Sequence, residues 1–182
     1  MDRKFSHFAS TAMLAAAFAG SAWAQSGAVD MGQNVPNAKA IAEGLFPDTT
    51  CDELKAAGFK CMGFTPAVRY SLPATAFKVG SAELPETLRK QLDVFAEVLK
   101  AKRGSGKKLS IEGHADASGA AATNLALSQR RAEAVKTYLV DQGAEPAMLE
   151  AIGMGANAPK NQADPFAPEN RRVEIGRLTP PS

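Results

Sequence analysis

The chain has 182 residues, of which 45% are apolar, with 21 basic and 19 acidic side chains and a net charge of +2. That is enough apolar material for one domain of ordinary size plus a flanking segment. The near-neutral charge argues against a protein held to nucleic acid or anionic lipid by a strong basic field.

Residues 1–24 read as an export signal. Asp2, Arg3 and Lys4 leave a net positive start, an apolar run covers Ala12 to Gly20, and Ala22-Trp23-Ala24 ends on the small residues a signal peptidase accepts. The run is about half the roughly 20 residues a spanning helix needs. The expected cut precedes Gln25, not a cysteine, so no lipid anchor is expected. Export leaves 19 basic and 18 acidic residues.

Residues 25–71 form an expected N-terminal arm. Its first part, 25–37, is small and polar, and reads as extended or disordered. Short apolar pieces follow around Cys51 and Cys61. In an exported chain this pair reads as a disulfide, since few metal ligands lie nearby and a redox pair is normally closer together. Such a bridge would stabilise by roughly 2–3 kcal/mol.

Residues 72–178 carry the regular pattern, ahead of a 179–182 tail. Ala74–Val79 is expected to be a strand, with Phe77 and Val79 on one face. Pro85 suits a first helical turn, and Leu88, Leu92, Phe95 and Leu99 recur at helical spacing. Lys108–His114 alternates as a half-buried strand, with Leu109, Ile111 and Gly113 opposite Ser110, Glu112 and His114. Asn124–Gln142 reads as a second helix with Ala132, Val135 and Leu139 on its core face, and Gly143 as its stop. Pro146–Ala151 suggests one more turn, Ala151–Met154 a third strand, and Arg171–Arg177 a last strand with Val173 and Ile175 inward. The order β-α-β-α-β-β predicts an α/β (α+β) two-layer sandwich, a mixed four-stranded sheet with its helices on one face.

Asp116 falls just past a strand's C-terminal end, where ligands of α/β folds collect. On the next helix Asn124, Ser128 and Arg131 are spaced i, i+4 and i+7. They form a polar stripe that continues the line of Val135 and Leu139. Arg131 leans back toward the helix N-terminus, so its guanidinium can approach the Asp116 loop. Two readings stand at this point. The pair is an internal salt bridge, or each charge takes the complementary half of a zwitterionic head group, ammonium at Asp116 and carboxylate at Arg131.

The blocks Gly113-His114-Ala115-Asp116, Asn124-Leu125-Ala126-Leu127-Ser128-Gln129-Arg130-Arg131-Ala132 and Asn170-Arg171-Arg172-Val173-Glu174 resemble the OmpA C-terminal-like family, which includes the periplasmic domains of OmpA, Pal and MotB. The resemblance covers Ala74 to Leu178. It implies non-covalent binding of peptidoglycan at the diaminopimelate of the stem peptide, with Asp116 and Arg131 as key ligands and Asn124 lining the pocket. Ser128, Asn170 and Arg171 are implied as secondary contacts or scaffold. Ala115 stands where many relatives have threonine, and Gly80 where an acidic residue is common. No cofactor or metal is expected. No catalytic unit is expected either, because His114 is the only histidine beyond the signal and nothing marks a serine as nucleophile. The expected setting is the periplasm and cell wall, peripheral to the outer membrane. A second reading makes the chain an adaptor whose arm docks on an outer-membrane or secretion-system protein.

Overall fold

A computed structural model describes residues 27–47, 57–58, 60, 67–73, 77–78 and 80–178. The export signal, both cysteines and the 179–182 tail lie outside the described residues.

The elements in chain order are β1 (Val29–Asp30), α1 (Ala38–Leu45), β2 (Tyr70–Pro73), α2 (Glu86–Ala101), β3 (Leu109–His114), α3 (Ala121–Asp141), β4 (Leu149–Gly155) and β5 (Arg172–Arg177). One mixed sheet has the order β1-β2-β5-β3-β4. β3 and β4 run parallel, while β5 is antiparallel to both β2 and β3. The α/β two-layer plan expected from the sequence is the plan observed, but among the described residues the sheet has five strands, not four. The extra strand is β1. Two exposed residues carry no readable periodicity, and the pairing is made by backbone groups, Val29 N–H to Arg69 O (2.8 Å) and Met31 N–H to Ser71 O (2.9 Å).

The first long-range strand also sits elsewhere than expected. It is Tyr70–Pro73, with Tyr70 and Leu72 buried. Of the expected Ala74–Val79 strand, Phe77 and Lys78 are not in a strand, and Ala74, Thr75, Ala76 and Val79 lie outside the described residues. Pro73 lacks a ladder N–H and closes the strand opposite Arg172.

The α2 stripe folds as its spacing dictates, with Leu88, Leu92, Phe95 and Leu99 all buried. Tyr70 meets Phe95 edge-on at 5.7 Å between ring centroids, and its hydroxyl donates to Ala40 O at 2.9 Å. Ile41 and Leu45 of α1 join the same core. Burying side chains of this size is worth about 1.5–3 kcal/mol each. Gln91, buried in α2, ties in the N-terminal segment by donating to Gly32 O and Asn34 O.

α3 lies very close to the sheet because two facing strand positions lack side chains. A Cβ on Gly113 would stand 2.1 Å from Ser128 O, and one on Gly153 would stand 2.8 Å from Gln129 Cβ. Helix and strands therefore meet at backbone distance. The Gln129 amide accepts from Gly153 N (2.5 Å) and donates to Ala151 O (3.2 Å), covering part of the edge strand β4. Gly143, at φ +106°, stops α3 as expected, its N–H on Val140 O.

The helices cover one sheet face. The other carries Ser110, Glu112, His114, Arg172 and Glu174, paired in register across β3 and β5. The sequence pattern suggests a half-exposed strand here, yet Ser110 and His114 are buried. Charge pairing explains it. Arg69 reaches Glu112 at 2.5 Å and Glu174 at 3.1 Å, and Arg172 reaches Glu174 at 2.6 Å. A polar face can be buried when its ions are matched.

Candidate functional site

The β3 strand ends at His114, and the loop beyond it is held from three sides. Ala115 N–H donates to Gly155 O at 2.8 Å, and Ala117 N–H to Pro165 O at 2.9 Å. Asn124, in the first turn of α3, donates from Nδ2 to Asp116 O (3.0 Å) and Ser118 O (2.8 Å). Ser118 N–H then turns back onto Asp116 Oδ1 at 3.0 Å. Asp116 is thus presented by a fixed turn.

Its second oxygen, Oδ2, accepts from Arg171 Nη1. Burial pushes the Asp116 carboxyl up, but the Arg171 hydrogen bond, the Ser118 hydrogen bonds and the Arg171 charge together hold it below the usual carboxylate value. Asp116 is therefore ionised across the physiological range.

Arg131 is not Asp116's direct partner. Its Nε donates to Ser81 O at 3.0 Å, and its guanidinium lies over the Phe77 ring at 4.9 Å from the centroid. The residue is only 4% exposed. Among the described residues nothing else accepts from its guanidinium. Burial, and then the charge of Arg171, lower its pKa, with Asp116 acting in the opposite sense. The internal salt-bridge reading of the Asp116–Arg131 pair is corrected on this point. Arg171 precedes β5, which runs antiparallel beside β3, and so arrives first at the Asp116 carboxylate.

The remaining sequence-predicted residues shape the walls. Ser128 is fully buried, accepting from Gly155 N (2.9 Å) and donating to Leu125 O (2.8 Å), which joins α3 to the end of β4. Asn170, also fully buried, accepts from Asn161 N (2.8 Å) and donates to Asp164 O (2.9 Å), fixing the loop before β5. Sequence reasoning missed Phe77 and Ser81 as the shelf for Arg131. It also missed Arg171 as the resident partner of Asp116, because strand order is not written in a single chain's periodicity.

His114 is 2% exposed, and neither ring nitrogen has a hydrogen-bond partner among the described residues. Burial foremost, then the Arg172 charge, press its pKa down to about 4, against the pull of Glu174 and Glu112. Glu112, His114 and Glu174 bring three ligand-type atoms within 4.8 Å of one another. Arg69 and Arg172 already engage both carboxylates, so a metal ion there would have to displace them.

No helix among the described residues is long and apolar enough to cross a membrane. The OmpA family matches residues 76–172, just over half of the chain. The peptidoglycan-associated lipoprotein of Pseudomonas aeruginosa is 41% identical over 101 residues, covering 54% of this chain and 58% of that relative. Outer membrane protein A of Bordetella avium is 42% identical over 65 residues, covering 35% of this chain and 34% of that one. This chain therefore spans less than two-thirds of the length of these curated relatives. Among solved structures, the periplasmic domain of Helicobacter pylori MotB superposes with a TM-score of 0.50 at 20% identity, covering 62% of this chain and 76% of that one, a likeness of fold. Family match, relatives and fold agree with the three ordered sequence blocks: the chain belongs to the OmpA family.

Proposed function

We propose that this protein binds peptidoglycan non-covalently in the periplasm, gripping the free amino-acid head group of diaminopimelate and tethering the cell envelope to its wall. The observation that carries the reading is Arg131: a buried guanidinium within electrostatic reach of an ionised Asp116, with no protein acceptor for its Nη groups among the described residues. Burying a cation in this way is costly unless something completes its hydrogen bonds. A ligand carboxylate does so in a planar, two-point contact.

The same head group carries an ammonium, which suits Asp116. Arg171 occupies that carboxylate in the free protein. Binding is then an exchange of ion pairs, with the ammonium taking Asp116 and Arg171 turning toward the incoming carboxylate beside Arg131. Asn124, Ser128 and Asn170 hold the walls and need not touch the ligand. The named association of the Pseudomonas relative with peptidoglycan supports the same ligand class. The chemistry is recognition, and no bond-breaking step is assigned.

Co-sedimentation with purified peptidoglycan tests this. Asp116→Ala and Arg131→Ala each remove a charge-assisted contact worth about 1.5–3 kcal/mol, so binding weakens roughly ten- to hundredfold. Circular dichroism is expected to stay unchanged, and soluble diaminopimelate to compete. Full binding in both variants would place the site elsewhere.

A further inference from the structure

We propose that Phe166 is a second contact point, a platform for a sugar ring of the glycan strand from which the bound stem peptide hangs. The inference rests on the peptide clasp above and extends it from a head group to the polymer.

Phe166 is 63% exposed, more than Val29, Val35 and Leu125, the other exposed large apolar residues among those described. A single exposed apolar side chain needs no explanation by itself. Its setting is what matters. Phe166 follows Pro165, whose carbonyl accepts from Ala117 N–H, and Ala117 follows Asp116. One backbone hydrogen bond therefore joins the loop that shows the phenyl ring to the loop that carries the clasp.

The loop is also fixed from within. Asp164 Oδ1 accepts from Phe166 N–H at 3.0 Å, and Asn161 Oδ1 accepts from Ala163 and Asp164 N–H at 3.1 and 3.0 Å. Buried Asn170 takes Asp164 O and Asn161 N, while Ala167, next to Phe166, is buried. The phenyl ring thus stands on a braced turn, with its neighbours anchored and its own face left to solvent. An apolar side chain ordered in advance loses little conformational entropy on contact.

Ligand geometry sets what can reach it. Diaminopimelate is the third residue of a stem peptide, and its side chain, a γ-linked glutamate, an alanine and a lactyl group separate the gripped head group from the sugar, so that sugar lies within roughly 15–20 Å along extended chain. A hexosamine ring has an edge of polarised C–H groups, and the negative face of a phenyl ring attracts a positive edge. The occupant assigned is a neutral pyranose ring.

Calorimetry with two soluble ligands tests the proposal: a free stem tetrapeptide containing diaminopimelate, and the same peptide on its disaccharide. The wild type should bind the disaccharide form more tightly. Phe166→Ala should weaken that form by about three- to tenfold, leaving the free peptide unchanged. Phe166→Trp should keep the preference, and thermal melts should show all variants folded. Equal loss for both ligands, or no loss for either, overturns the platform. If the wild type binds the free peptide with no gain from the disaccharide, the platform fails and the clasp stands. If the wild type binds neither ligand, the clasp fails and the platform with it.

Discussion

Two clusters of charged side chains flank the same strand pair, and their difference separates scaffold from site. On the helix-free face of the sheet, Arg69 and Arg172 face Glu112 and Glu174 around a neutral His114, two cations against two anions. Just past the end of β3, Asp116 is the one carboxylate among the described residues that Arg131 and Arg171 face. The first cluster is balanced and closed. The second carries one cation more than its anions, and that cation is buried with its Nη groups unmatched by the described residues. Consecutive residues even divide between them. Arg172 has a side chain 5% exposed and serves the closed cluster, whereas Arg171 is 38% exposed and serves the open one. Self-sufficient charge holds the fold together, and surplus charge is free to hold something else.

The largest effect expected from this contrast is on stability. Arg172→Ala strips Glu174 of its 2.6 Å partner in a buried setting and removes the donor to Ala158 O. Leaving a buried charge wholly uncompensated typically costs about 3–5 kcal/mol, and Arg69, still 3.1 Å from Glu174, should hold the loss near or below the lower end of that range. Arg171→Ala, one residue earlier, removes a partly exposed pair and should cost less than about 1 kcal/mol. Urea unfolding of the two variants measures the gap. Equal losses would mean that the clusters do not differ in kind.

Acid should dissect the closed cluster next. His114 is held neutral, with its pKa pushed down to about 4 from an ordinary value near 6.5. Between these values the unfolded chain binds the proton and the folded one does not, so stability falls as pH drops from about 6.5 toward 4. The full difference is on the order of 3 kcal/mol. Asp116 and Glu174, both held below their usual values, add their own losses only at lower pH. Unfolding measured at a series of pH values should slope across this window in the wild type and flatten in His114→Gln. An unchanged slope in that variant would assign the window to other groups.

The helical half of this arrangement was the more readable part. Leu88–Leu99 and the stripe from Asn124 to Leu139 repeat at 3.6-residue spacing over several turns, and each buries the expected face. The β half was less legible because its signals are short. β1 is two residues long, and β2 carries only Tyr70 and Leu72 before Pro73. The charged face of β3 reads as solvent-facing by alternation, since nothing in one strand announces the arginines that neutralise it. In the candidate site, the i, i+4, i+7 stripe is buried as its spacing dictates, yet only Asn124 bonds the Asp116 loop, while Ser128 reaches Gly155 and Arg131 reaches Ser81. Arg171, arriving from a strand whose place in the sheet the sequence does not state, was the piece that periodicity could not supply.

The smallest stability effect, and the sharpest separation of fold from function, is expected at Arg131 itself. Its one hydrogen bond to Ser81 O and its position over Phe77 offset only part of the cost of burying a cation that burial and Arg171 both disfavour. Arg131→Met keeps the length and the contact with the Phe77 ring while removing the charge. Replacing a poorly compensated buried ion by an apolar side chain of similar volume is often neutral or stabilising. Urea midpoints of the variant should therefore match or exceed the wild type, and binding to purified peptidoglycan should be lost. A scaffold arginine would give the reverse, a clear loss of stability with whatever binding the folded fraction allows. A variant that folds at least as well and binds nothing would show that the charge is kept at the fold's expense for a ligand.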